Sequence, residues 1–565
     1  LAEFYLAGLD RIDAELASTD PAVRDRLATA DAELDAATSA DAATEAMWRA
    51  FFPQALGIRG HEQERISSLR RVRTVTIEAL APDPVEDPAR EVLFTSNVLL
   101  TVPDESTDID ALPYSGELRT AIRAAAAEPQ RYWFDHPIQI GVEPEANELL
   151  YGLRGLDAAI AAEDGSDRVT CLLSVSVTHE RLAAVARDYV EAELERDGRL
   201  QHLDVVVVTE DDTRALIGEA LLPALGDTGD ATADGLGQVF GVDGHYGRHY
   251  SFLKAVAALW HVAVDSQVRA TFKIDLDQVF PQEVLREATG RSMFEHLCTP
   301  LWGARARAAD GTPLELGMLA GALVNEKDIG RSLFTPDVPI PFRLPGADEH
   351  IFFSVLPQSI STRAEMMERY DRSAIDGVHR ALERIHVTGG TNGVRVDALR
   401  AHRPFTPSWV GRAEDQAYLL SALGDEPRLG YAHAAGLIMR HDKEAFAGQA
   451  MAAAHVGKLI GDDVRILVFS AYVAALDAAG GDAAAIRRLL DPFTGGFVSD
   501  IPQTLVLLRL ALRTLRLFGS GHADDAVEYA TVGAARVAAA MERQGDPTVV
   551  AELLAAERRA WDAYY

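Results

Sequence analysis

The residues best able to do chemistry form Lys273-Ile274-Asp275-Leu276-Asp277, at the end of the hydrophobic run ATFKIDLDQVF. Strand alternation predicts Asp275 and Asp277 on one side and Ile274 and Leu276 on the other. Two carboxylates on one side of a strand end suit a hard divalent cation, held directly or through its waters, and such a cation bridges a diphosphate. An Asp-x-Asp is also a common surface strand end, so its surroundings decide its meaning. Downstream, Gly389-Gly390 opens GGTNGVRVDALR, Glu414-Asp415 begins a helical run, and His441 lies in RHDKE. Each has an ordinary reading beside the chemical one. The glycines make a turn, the acids favour the positive end of a helix, and His441 is an exposed residue before a helix, with His433 as a rival metal ligand.

These residues need elements to hold them. VTCLLSVSVT reads as a strand from Val169, HERLAAVARDYVEAELERDG as a helix closing on Gly198, and LDVVVVTEDD as a nearly continuous apolar strand. Apolar strands alternating with helices predict a parallel sheet covered on both faces. YSFLKAVAALWHVAVDS is a further helix before the Asp-bearing strand, so residues 169–280 read as an α/β unit. Before it, residues 1–85 read as a helical region, with Pro21 after a capping Asp20 and Ser39 ahead of ADAATEAMWRAFF. Residues 86–167 read as a connector packed on the catalytic domain; it contains the expected strand EVLFTSNVLLTVP and the run Tyr132-Trp-Phe-Asp-His-Pro137, either a sugar-stacking element or domain packing. Residues 445–565 read as an Ala-rich helical bundle that packs or oligomerises.

The ordered set of motifs over residues 168–444 resembles glycosyltransferases of the A-type fold (GT-A). In that superfamily a strand-helix-strand half holds the nucleotide, an Asp-x-Asp closes it, and a Gly-Gly segment leads to an acidic pair at a helix start. The resemblance implies an α/β architecture: a Rossmann-type nucleotide-sugar domain flanked by N-terminal helical and C-terminal all-α regions. It implies metal ligation by Asp277, Asp275 and His441, with Mn²⁺ or Mg²⁺ as cofactor. It implies donor contacts at Thr178, Glu180, Asp211, Arg248, Lys254, Asp275, Gly389 and Gly390, with Arg248 or Lys254 meeting the diphosphate. Asp415 becomes the base toward an acceptor hydroxyl and Glu414 its support, which implies inversion at the sugar carbon unless the acids serve a retaining reaction. Thr178 and Glu180 also fit simple helix capping. The opening SVSVTHERL lacks the Pro-x-Tyr-Asn of the commonest processive branch.

Composition narrows the partners. The 565 residues carry a net charge of −32 and a sequence pI near 4.9, which repels a phosphate backbone and argues against nucleic acid. With 48% hydrophobic and 25% charged residues, the chain reads as globular. Cys171 and Cys298 are too few for a disulfide framework. No run predicts a membrane span, since residues 505–517 are interrupted by Arg509, Arg513 and Arg516 and read as a helix with one charged face. The acidic N-terminal stretch does not resemble a secretory signal, so a cytoplasmic location is expected. The expected partners are a UDP- or GDP-sugar and a hydroxyl acceptor. The competing expectations are a sugar-phosphate nucleotidyltransferase, whose Gly-rich basic loop is missing here, and a catalytically inactive binding or assembly protein.

Overall fold

A computed structural model describes residues 2–53, 61–131, 137–163, 168–226, 229–242, 249–333, 351–352, 362–370, 374–388, 390–402, 414–441, 455–478, 498–544 and 547–565. The chain divides into two units, each assembled from three segments. One takes Leu1–Leu69, Val338–Ala364 and Ala453–Ala555; the other takes Arg70–Asp337, Glu365–Ala452 and Ala556–Tyr565.

The first unit is helical among its described residues. Ser39 and Asp20 cap their helices as the sequence predicts, accepting from the backbone N–H groups of Ala42 (3.2 Å) and Ala22 (2.7 Å). Its core packs Trp48, Phe52, Ile466, Leu505, Val506, Val537 and Met541. Within the helix Pro502–Gly519, Arg509 and Arg513 turn inward; the Arg509 Nε lies 2.8 Å from Asp463 Oδ1, and Tyr529 also bonds this carboxylate. Arg516 is exposed. No helix among the described residues is long and apolar enough to cross a membrane.

The second unit is α/β and holds one mixed sheet of twelve strands. In chain order they are β1 (Thr74–Ala79), β2 (Val92–Thr101), β3 (Ile138–Gln139), β4 (Val169–Val177), β5 (Leu203–Thr209), β6 (Ala270–Lys273), β7 (Gln278–Val279), β8 (Arg305–Arg307), β9 (Pro313–Asn325), β10 (Arg380–Leu382), β11 (Asn392–Arg395) and β12 (Arg428–His441). The main path runs β10-β1-β8-β9-β11-β6-β2-β4-β5. Strands β2, β4, β5 and β6 are mutually parallel, so their spatial order is third, second, first, fourth. Beyond β6 the direction reverses at β11, and β12 lies parallel to β9 while also pairing with β7.

Two boundaries differ from the sequence reading. The first of the four parallel strands is β2, inside the expected connector, and it sits between β4 and β6. Its Thr95, Ser96 and Asn97 interrupt the apolar run, yet the strand is buried along nearly its whole length. In the sheet, Ser96 Oγ donates to the Ile274 carbonyl at 2.8 Å and Thr95 Oγ1 bonds His249 at 3.1 Å. The expected N-terminal region likewise stops being helical at Arg73, and β1 belongs to the sheet.

Candidate functional site

The Asp-bearing turn is fixed from both sides. β6 is buried throughout and ends at Lys273; the Ile274 N–H then donates to the Thr95 carbonyl at 2.9 Å. Ile274 and Leu276 enter the core, at 1% and 3% exposure. Leu276 rests on the helix Glu148–Ala161 at Gly152, where an added Cβ would stand 2.5 Å from the Leu276 Cα. A Cβ on Gly155 would run into the Val279 side chain. On the opposite side of the turn the two carboxylates take separate partners. Asp275 lies 3.3 Å from the Lys273 ammonium and accepts from the Gln278 amide at 3.2 Å. Asp277 Oδ2 lies 2.6 Å from His441 Nε2, both side chains being buried.

That division corrects the expected three-residue metal set. Asp277 and His441 are brought together, whereas Asp275 is drawn off by an ammonium and an amide; no group of three or more His, Cys, Asp or Glu suited to a metal occurs among the described residues. Asp277 and His441 would offer a divalent cation such as Mn²⁺ one carboxylate and one imidazole, leaving its other positions to water or substrate oxygens. His433, the rival ligand, is placed elsewhere. On β12 it lies opposite Ala320 of β9, bonds the Glu368 carbonyl at 3.0 Å, and is pushed down to about 3 by burial and by Arg384.

Asp415 approaches the same end of the sheet on the helix Glu414–Ser421. Gln416 ties this helix to the preceding segment, donating to the Ile385 carbonyl at 2.9 Å and accepting from the Val387 N–H at 3.3 Å. Burial pushes the Asp415 carboxyl above the usual range and the charge of Asp275 adds to the rise. Lys273 and the Gln416 N–H, 2.8 Å from Asp415 Oδ1, oppose it. Lys273 therefore serves two carboxylates. Its charge, behind the larger effect of burial, also holds His249 neutral; this imidazole bridges Ser174 (2.9 Å) and Thr95 (3.1 Å) across β4 and β2. Sequence reasoning missed His249, Thr95 and Ser174. For Thr95 and Ser174 the only signal was a polar residue in the middle of an apolar strand, and His249 opens the helix His249–Ala258.

Several expected donor contacts are engaged otherwise. Lys254 is fully buried. Its ammonium donates to the Leu399 carbonyl (2.8 Å) and the His402 carbonyl, and lies over the rings of Trp561 (5.5 Å) and Tyr565 (5.1 Å). It pins the helix Val396–Ala401 and the C-terminal aromatics, which corrects its assignment to the diphosphate. Thr178 is buried between Thr101 and His179, at 2.8 Å from each. Glu180 is exposed and pairs with Arg131, and Asp211 is half exposed and pairs with Arg214. In that second turn the buried acid is Glu210, which accepts from the Val177 N–H at 3.0 Å. Gly390 packs under the Asp turn, where a Cβ would lie 2.5 Å from Gln278 Oε1 and 2.8 Å from the Asp275 nitrogen. Arg248, Gly389 and residues 132–136 lie outside the described residues, and nothing is described of the Glu414 side chain.

Comparison with known proteins adds no identification. No protein family, curated protein or solved structure matches this chain. The functional reading rests on the geometry alone.

Proposed function

We propose that the α/β unit is a metal-dependent glycosyltransferase acting on a nucleoside-diphosphate sugar, with a Rossmann-like GT-A arrangement. The observation that carries this reading is the gathering of charged side chains where β6 ends at Lys273, beside β2, at the switch point of the parallel strands. In open α/β sheets, ligands bind where the strand order reverses, and here that point lies between the first and fourth parallel strands. Lys273, Asp275, Asp277 with His441, and Asp415 all gather around it.

Asp277 and His441 would hold the cation, which neutralises charge developing on the leaving diphosphate. Lys273 adds a fixed positive charge at the same end. Asp415 accepts the proton of the attacking hydroxyl as its oxygen bonds to the sugar carbon and the bond to the diphosphate breaks. A buried carboxylate with a raised proton affinity is a stronger base than an exposed one. Titration calorimetry with UDP and GDP, with and without Mn²⁺, tests the binding half. A panel of nucleotide sugars assayed for nucleoside diphosphate release tests the reaction. Absence of nucleotide binding and of release across the panel would reject the reading.

A further inference from the structure

Asn392 opens β11, directly opposite Lys273 on β6 and Ala320 on β9. It is 1% exposed, and neither Nδ2 nor Oδ1 has a hydrogen-bond partner among the described residues. Alternation fixes where it points. A Cβ on Gly393 would strike Trp302 at 2.7 Å and Phe272 at 3.1 Å, so Gly393 faces that side of the sheet. Asn392 and Val394 face the other side, where Val394 packs with Tyr418, Leu419 and Tyr431. That face is covered by the helix bearing Asp415, and Lys273 shares it because directly paired residues project to the same side.

A carboxamide stripped of water with no partner is costly, and a buried apolar residue would serve this strand better for stability alone. The residue before it adds a second anomaly. Thr391 has φ of +63°, a conformation unfavourable for a β-branched residue. It is held there by its N–H to the Lys273 carbonyl (3.0 Å), its carbonyl to the Gly321 N–H (3.2 Å), and its hydroxyl to Gln278 Oε1 (3.2 Å). Such strain gathers where a fold sets a functional group in place.

We propose that Asn392 determines specificity by reading a vicinal diol of the substrate, its Oδ1 accepting from one hydroxyl and its Nδ2 donating to the next. This rests on the glycosyltransferase reading and specifies which feature of the substrate the site recognises. A site built to bond hydroxyls is discriminating because its buried polar groups are left unmatched by other ligands. Two parts of a nucleotide sugar carry a vicinal diol: the ribose and the sugar itself.

The test measures dissociation constants of wild type and Asn392→Ala for UDP, GDP, UDP-glucose and GDP-mannose with Mn²⁺, and for free glucose, mannose and ribose by saturation-transfer NMR. Loss of affinity of about 10- to 100-fold for the nucleotide sugars alone assigns the diol to the sugar; equal loss for UDP or GDP assigns it to the ribose. Wild-type affinities retained by a folded Asn392→Ala would overturn the proposal while leaving the glycosyltransferase reading standing. Free-sugar binding that depends on Asn392, without nucleotide binding, would do the opposite, upholding diol recognition and rejecting the glycosyltransferase. Binding of nothing would reject both. Asn392→Leu gives a readout independent of ligand. It should melt higher than wild type without ligand, because an unmatched amide is removed; a lower melting temperature would show the amide already satisfied and the proposal wrong.

Discussion

Asp415→Asn separates catalysis from packing at one buried position. Asparagine keeps the size of the side chain and an oxygen to accept from the Gln416 N–H, but it has no charge and takes no proton. If Asp415 is the base, turnover should fall by about 10²- to 10⁴-fold, the usual range for a positioned proton acceptor, with nucleoside diphosphate affinity nearly unchanged. Stability should move the other way. The folded-state proton affinity of Asp415 is raised, chiefly by burial, so the stabilisation linked to its protonated form is complete below the unfolded carboxyl value. It is lost as pH rises through the folded one. At pH 7 wild type therefore carries the cost of a desolvated carboxylate, about 1–3 kcal/mol before the opposing pull of Lys273, and asparagine does not. The variant should melt a few degrees higher at pH 7, with the gain shrinking toward pH 4. The wild-type rate should rise with pH through a value above the ordinary aspartate range. The assays are nucleoside diphosphate release from the nucleotide sugar found active, a melting series from pH 4 to 8, and NMR of the product's anomeric configuration, which reports inversion or retention. Near-wild-type turnover would remove Asp415 from the mechanism, and a lower melting temperature at pH 7 would refute the electrostatic argument.

Asp277→Asn should weaken Mn²⁺-dependent binding of UDP or GDP at least about tenfold with circular dichroism unchanged; equal affinity with and without the substitution would dismiss the cation site. Lys254→Met should lower the melting temperature, because the carbonyls of Leu399 and His402 lose a buried donor at about 1–3 kcal/mol. Its nucleotide affinity at low temperature should match wild type, and a selective affinity loss would restore Lys254 to the diphosphate. Gly152→Ala forces a methyl against the Leu276 backbone and should cost about 1–3 kcal/mol. It should also displace the Asp turn, so metal-dependent nucleotide affinity should fall together with stability.

The elements were more legible in the sequence than their places. The strands at 92–101, 169–177, 203–209 and 270–273 announce themselves by apolar runs, and the Asp turn by alternation that the burial of Ile274 and Leu276 bears out. Strand order was not legible. Thr95 and Ser96 in β2 look like solvent-facing residues until their partners, His249 and the Ile274 carbonyl, arrive from elsewhere in the chain. Side-chain partners were hidden for the same reason. Lys254 reads as a free cation beside a nucleotide motif, and only the fold brings two carbonyls and two aromatic rings around it. The pairing of Asp277 with His441 needed β12 to run back beside β7, a contact between residues 164 apart.

The interleaving of the two units constrains how the protein is made. Their boundaries fall at residues 69/70, 337/338, 364/365, 452/453 and 555/556, so the chain passes from one unit to the other five times. During synthesis the first 69 residues emerge long before the helices around Ile466, Leu505 and Val537 that share their core. The sheet unit waits longer still, since Trp561 belongs to its core and Tyr565 donates to the Lys254 carbonyl at 2.6 Å. Neither core closes by local contacts as translation proceeds. Both depend on segments delivered late, and a nascent chain that still lacks those segments exposes apolar surface prone to aggregation. A single cut near residue 445 would leave both units incomplete.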